Sequence, residues 1–209
     1  MKRILLHSAI AIIALLTLSA CLDDDNPNKD DEITSLTNQE IELRNQMLNG
    51  NWEGKAYYFN VDTQKYDSTT VVWRGDVSLL TTTIDYFPVR ILSNYLEGNA
   101  KEILKEADNQ KIVFDYKSFT SDLRIYNERQ YLRYDFVPQN SSLTFRVGGE
   151  EVIVRFTNEI INSEGTYKPI AVFYKSQMTA NILIKSIEMK GQTIEVNKVI
   201  AISGRKIKS

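Results

Sequence analysis

The chain has 209 residues, with 25 Lys and Arg against 27 Asp and Glu, a single cysteine and a single histidine. His7 and Cys21 both sit near the start, so everything after Cys21 offers neither a thiol nor an imidazole. This excludes Ser-His-Asp and Cys-His catalysis, the usual Cys or His zinc sites and a disulfide framework, and confines any chemistry to carboxylates, tyrosines, lysines or an oxygen-ligated cation such as calcium.

Lys2 and Arg3 open the chain, and residues 4–16 are apolar except for His7 and Ser8. The run falls short of the ~20 residues that span a bilayer and has the length of a signal-peptide core. Leu18-Ser19-Ala20-Cys21 follows, and these residues resemble the lipobox of bacterial lipoproteins. The resemblance implies cleavage before Cys21, diacylglycerol on its thiol and usually acylation of the new amine. One acyl chain holds a protein to a membrane only marginally, whereas two or three anchor it. Residues 1–20 are therefore expected to be a cleaved leader, with Cys21 the lipidation site.

Behind Cys21, the acids Asp23, Asp24, Asp25, Asp30, Asp31 and Glu32 stand against Lys29 alone, with Pro27 between two asparagines. Such a stretch cannot bury a core, so residues 21–32 read as a disordered tether reaching at most about 40 Å. An acidic cluster directly after a lipobox also resembles the lipoprotein export signal of Bacteroidetes, which implies attachment to the outer membrane facing the exterior. Residues 33–209 hold 22 bases and 21 acids. That balance lacks the basic footprint of a nucleic-acid binder, and the length suits one domain.

Thr37 and Glu40 form a capping box stapled by Leu36 and Ile41, and Asn49-Gly50 supplies a stop, which predicts a helix over 38–48. A strand over 51–60 follows, with Trp52, Ala56 and Tyr58 on one face. Val71, Trp73, Gly75, Val77 and Leu79 alternate with Arg74, Asp76 and Ser78, which predicts the next strand. The period then changes: Ile84, Phe87, Ile91, Leu92, Tyr95 and Leu96 recur at three- and four-residue spacings. With Pro88 near its start, this predicts a short helix over 88–96, separated by Gly98-Asn99 from a second over 100–107.

From Lys111 onward, strands are expected at 111–119, 123–126, 131–137, 142–147, 150–157, 167–175, 178–185, 187–189 and 193–202. Val147-Gly148-Gly149-Glu150 supplies the two positive φ angles of a primed hairpin. Asn140-Ser141 and Lys190-Gly191-Gln192 mark further turns. The fold class is mainly β: an antiparallel barrel or sandwich with an N-terminal helix and a two-helix insertion. Spacing alone does not separate barrel from sandwich.

Gly50-Asn51-Trp52 resembles the Gly-x-Trp start of lipocalin and calycin barrels. The resemblance implies that Trp52 closes the narrow end of a barrel and packs against a basic residue of the last strand, here Arg205. Asn49-Gly50-Asn51-Trp52-Glu53-Gly54 with Ile84-Asp85-Tyr86-Phe87-Pro88-Val89-Arg90-Ile91-Leu92 resembles a family of Bacteroidetes lipoproteins built around a domain of unknown function. Those motifs are structural and imply no catalytic residues.

Arg74-Gly75-Asp76 is the tripeptide that integrins read on an exposed loop, but here it falls in an alternating strand, where Gly75 marks a bulge or a bend. Glu150 and Glu151 cannot serve as a glycosidase pair, because adjacent strand residues point to opposite faces. The 11 tyrosines and 2 tryptophans supply surfaces that can stack on a sugar or an apolar ligand. Tyr57, Tyr66, Tyr126, Tyr131 and Tyr134 are the candidate ligand contacts, several being out of phase with the apolar set or near turns.

No catalytic residue, metal site or cofactor is expected. The leading reading is a non-catalytic envelope lipoprotein that binds a small molecule, glycan or envelope partner, with the membrane as its other partner, no nucleic acid, and an open oligomeric state. A structural or adhesive surface component comes second, and a carboxylate-based hydrolase third. Replacing Cys21 by Ser is expected to move the protein from the membrane to the soluble fraction on cell fractionation, with the thermal unfolding of the domain unchanged.

Overall fold

A computed structural model describes residues 38–39, 42, 47–117, 124–126, 129–163, 165–174 and 176–207, with backbone only at 116–117, 124–126 and 129–133. Cys21 and the acidic tether lie outside these residues. Asn38, Gln39, Glu42, Met47 and Leu48 are helical, within the span expected for the first helix.

The strands are β1 (Gly50–Asn60), β2 (Lys65–Asp76), β3 (Thr81–Phe87), β4 (Gln110–Lys117), β5 (Arg124–Tyr126), β6 (Arg129–Pro138), β7 (Ser142–Val147), β8 (Glu150–Phe156), β9 (Ile160–Asn162), β10 (Gly165–Tyr167), β11 (Ile170–Tyr174), β12 (Gln177–Met189) and β13 (Gln192–Lys206). A 3₁₀ helix (Val89–Tyr95) and the helix α1 (Gly98–Lys105) connect β3 to β4. Eight strands, β1, β2, β3, β4, β6, β11, β12 and β13, pair antiparallel in that order, and β13 returns to β1. The fold is thus a closed up-and-down barrel and not a sandwich.

Register sorts the side chains into inside and outside along most of the paired strands. Trp52 faces Trp73, Ala56 faces Ile202, Ala180 faces Ala171, and Ala171 faces Tyr134. All of these are buried and point into the barrel. Three glycines permit close approaches that a side chain would block. A Cβ on Gly204 would come 2.4 Å from the Trp73 ring and 2.3 Å from the Glu53 carbonyl oxygen, and one on Gly54, its partner across β1 and β13, would come 2.2 Å from the Ser203 carbonyl oxygen. A Cβ on Gly75 would occupy the place of the Leu48 carbonyl oxygen. The end of the N-terminal helix is therefore seated on the barrel through Gly75, with Leu48 itself buried.

The opposite end receives the connection between β3 and β4. Val89, Ile91 and Leu92 from the 3₁₀ helix, with Leu96, Leu104 and Ala107, join the same hydrophobic cluster as Ile84, Phe87 and Tyr58. The insertion differs from the expected pair of α-helices. Its first member is a 3₁₀ helix with no side-chain N-cap bond after Pro88, and Gly98-Asn99 starts α1 where an interruption was expected. Gly98 at φ 57° sets the chain direction into α1.

The strand β3 is hidden in the sequence because Ile84 and Phe87 share the three- and four-residue spacing of the residues after them. Thr81, Thr82 and Thr83 are buried although polar, so the run lacks the apolar–polar alternation by which a strand is recognised. The spans 178–185 and 187–189 are one strand, β12, with a bulge between Ile184 and Ser186 that shifts the apolar phase from Ile182 and Ile184 to Ile187 and Met189. Its first part pairs with β11 and its second with β8, so β12, β13, β8 and β7 continue past the barrel as a sheet extension. The expected strand 167–175 divides into β10 and β11. β10 pairs with β9, and their Ile160 and Tyr167 cover Leu183 on the outer wall, with Val199 alongside.

Replacing Gly204 by Ala is expected to destabilise the barrel by about 1–3 kcal/mol, the usual range for overpacking a tight core. Urea unfolding checks this through the shift of the midpoint.

Candidate aromatic surface on the barrel wall

The barrel interior is occupied by aromatic rings in contact. Trp52 stacks on Trp73 with centroids 6.1 Å apart and planes 6° from parallel, and it meets Phe173 edge-on at 5.7 Å. Phe173 in turn meets Tyr134 edge-on at 5.8 Å, while Phe114 and Phe136 stack at 4.2 Å. The buried Nε1 of Trp73 has no hydrogen-bond partner among the described residues. Leaving a buried donor unpaired costs about 1–3 kcal/mol, so the ring is held by its packing and not by its polar atom.

Trp52 is buried on the inward face of β1, and Arg205 is not the residue opposite it. Side chains alternate along β13, so the residue facing Trp52 across the ladder is Lys206, while Arg205 faces Glu53 on the outside. The Arg205 Nη2 lies 3.1 Å from Glu53 Oε1, both groups being largely exposed. The expected pairing was displaced by one residue, and one residue in a strand changes the face.

The five candidate tyrosines separate in the same way. Tyr134 points into the barrel and is 1% exposed, a core position. Tyr126 and Tyr131 lie on β5 and β6, with side chains outside the described residues. Tyr57 and Tyr66 lie on the outer wall. Tyr66 is directly opposite Phe59 in the β1–β2 ladder, their rings edge-on at 5.6 Å, and Tyr57 precedes Phe59 by two positions on the same face. Tyr66 is 51% exposed and Tyr57 and Phe59 are half-buried. The structure thus brings together two of the tyrosines and adds Phe59. Its signal in the sequence was its place two residues after Tyr57, out of phase with Trp52, Ala56 and Tyr58.

This strip runs toward the tip of the β1–β2 hairpin. A shallow groove of about 230 Å³ lies there, lined by Val61, Asp62, Asn94, Tyr95, Glu97 and Lys101 among others. Lys101 Nζ lies 2.6 Å from Asp62 Oδ2, a contact that ties the tip to α1 and holds the Asp62 carboxyl below its ordinary range. Burial pushes the Tyr95 hydroxyl well above the ordinary tyrosine range, with the Phe59 backbone working in the opposite sense and Tyr66 and Tyr58 nearby. Burial, and then the neighbouring Asp67, raise Tyr58 as well. The strip and the groove offer stacking surfaces and polar groups at the rim.

Arg74-Gly75-Asp76 is paired on both sides, with Asn51 and Gly50 of β1 and with Thr83, Thr82 and Thr81 of β3. Gly75 is buried beneath Leu48, and Asp76 Oδ1 accepts hydrogen bonds from the backbone N–H groups of Ser78 and Leu79 and from the Ser78 hydroxyl. The tripeptide therefore shapes the β2–β3 turn and is not displayed on a loop tip.

Residues 47–189 match the domain of unknown function DUF4840. The chain belongs to the DUF4840 family. Searches against curated proteins and against solved structures give no match. The matched DUF4840 span runs from the helix end at Met47 to the end of β12, and β13, which closes the ring between β12 and β1, lies beyond it.

Replacing Trp52 by Ala should cost the DUF4840 barrel about 3–5 kcal/mol, whereas Arg205→Ala should stay within about 0.5 kcal/mol, as befits an exposed pair. Denaturant midpoints of the two variants measure the difference. Comparable losses would restore the Trp52–Arg205 pairing.

Proposed function

We propose that this protein is a non-catalytic lipoprotein of the Bacteroidetes outer membrane, facing the exterior, that binds a glycan or another small ligand on the outside of its barrel. The observation that carries the binding reading is the strip of Tyr57, Phe59 and Tyr66 on the outer wall beside the hairpin-tip groove. Rings presented on a rigid ladder stack on the apolar faces of sugars at little conformational cost, while Asp62, Asn94 and Lys101 supply polar contacts at the groove. The interior, by contrast, is filled by the rings of Trp52, Trp73, Tyr134 and Phe173.

The location rests on the sequence before the domain: an apolar run, Leu18-Ser19-Ala20-Cys21, and the acidic cluster behind it. The non-catalytic reading rests on residue types, because no histidine and no further cysteine follows Cys21. In this reading the tether holds the barrel clear of the membrane and leaves its wall open to soluble or cell-wall saccharides.

The test is titration of the protein against a panel of oligosaccharides, followed by calorimetry or by NMR shifts of the tyrosine rings. Tyr57→Ala and Tyr66→Ala should each weaken a hit about tenfold, equivalent to about 1.4 kcal/mol, without changing the unfolding temperature. Binding that survives both substitutions, or an empty panel, would sink the outer-wall site.

A further inference from the structure

We propose that β7 is an open docking edge for a second copy of this chain, joined antiparallel, β7 to β7, about a two-fold axis. Ring closure uses up the barrel strands along their paired lengths, whereas the sheet extension ends on β7, which pairs only with β8 among the described residues. Natural sheets defend such edges with charged side chains, lysine above all, with proline, with a bulge or with an inward-pointing charge. Ser142-Leu143-Thr144-Phe145-Arg146-Val147 has no proline and no lysine, its one charge, Arg146, is on the outward face, and its register runs unbroken from Ser142 opposite Arg155 to Val147 opposite Glu150. Its inward residues are Leu143, Phe145 and Val147, the last two 8% and 6% exposed and Leu143 half-buried against the same cluster. The other edge of the extension, the first half of β13, carries defences: a register shift, Asn197 at φ 47° and then Lys198.

The hairpin decides which backbone groups are free. Gly148 and Gly149, at φ 57° and 86°, form a two-residue primed turn, which makes Val147 and Glu150 a hydrogen-bonded pair. Leu143, Phe145 and Val147 therefore direct their N–H and C=O groups toward β8, and Ser142, Thr144 and Arg146 direct theirs away from it. An incoming strand has to meet those three residues while keeping apolar side chains on the inward face, because a slip of one residue would exchange the faces.

A second β7 centred on Thr144 meets both conditions. Thr144 faces the partner's Thr144, Ser142 faces the partner's Arg146, and on the inward face Leu143 faces the partner's Phe145. The pairing makes about six backbone hydrogen bonds, two for each hydrogen-bonded pair, and covers the half-exposed Leu143. No like charges meet: Arg146 lies opposite a serine, and Arg155 on the next strand is held by Glu188 at 2.9 Å. The tether is a poor rival occupant, because residues 22–32 hold six acids and a proline and no alternating apolar set. Two-fold pairing consumes the edge on both copies, so assembly stops at two. Six residues a side fall well short of the roughly 20–30 of a standard interface, which makes this a concentration-dependent dimer.

Sedimentation equilibrium of the full-length protein over a concentration series tests this, with amide hydrogen exchange read on β7. The expected result is a mass that rises toward the dimer while protection of the Thr144 and Arg146 amides rises with it. Thr144→Lys sets two like charges against each other at the centre and should abolish the dimer with the unfolding temperature unchanged. Thr193→Lys, on the opposite edge of the extension, should leave it intact. If Thr144→Lys lowers the unfolding temperature, Ser142→Lys, which would face the partner's Arg146, replaces it. A monomer throughout the series, a dimer that survives the β7 variants, or β7 amides protected independently of concentration, as an occupant from the same chain would produce, overturns the proposal.

Discussion

The contact between β1 and β13 is the constraint on which the rest of the molecule depends. The two strands come from opposite ends of the domain, and they meet where Gly54 lies opposite Gly204 with the Trp73 ring against the second glycine. Any side chain at these positions would enter either the backbone of the other strand or the indole. The absence of two Cβ atoms therefore lets the first and last strands pair, and the ring they close creates an interior in which Trp52 and Trp73 can stack. The ladder runs on past Arg205, with the Ile207 N–H donating to the Asn51 carbonyl at 2.9 Å. The matched family span ends before this strand, so closure is completed by residues beyond it.

A closed ring has an inside and an outside, and in this protein the inside is already filled. Trp52, Trp73, Phe173 and Tyr134 touch in sequence across it, the N-terminal helix end sits on Gly75 at one end, and the 3₁₀ helix and α1 contribute apolar residues at the other. The interior thus supplies stability through close packing. The surfaces proposed for recognition lie outside it: the Tyr57, Phe59 and Tyr66 strip on its wall, and β7 at the end of the sheet extension, which pairs only with β8 among the described residues.

Much of the domain was legible because its signals are local. The β7–β8 turn is legible to the residue in Val147-Gly148-Gly149-Glu150, where positive φ is a property of the two glycines. The faces of Trp52, Ala56 and Tyr58 followed from a period of two. The errors fall where that period is hidden. In β3, three buried threonines break the apolar–polar alternation, and in β12 a bulge resets the phase. The candidate site was read in part for the same reason: phase on each strand sets Tyr57 apart from the core and puts Tyr134 on the face of Phe136, while the pairing of β6 with β11, which sets Ala171 opposite Tyr134, closes that face inside the ring.

By itself the sequence determined the residue chemistry left after Cys21, the mainly β class, the hairpin at Gly148-Gly149 and the aromatic start at Trp52, since composition, φ preference and alternation are carried by neighbouring residues. Only the tertiary structure decided that the strands close into a barrel, that Lys206 and not Arg205 shares a face with Trp52, that Gly75 serves Leu48 and not a recognition loop, and that Tyr57 and Tyr66 share an outer wall with Phe59. Each of these depends on which distant strands are neighbours and in what register. A shift of one residue in that register inverts inside and outside while leaving every local signal unchanged.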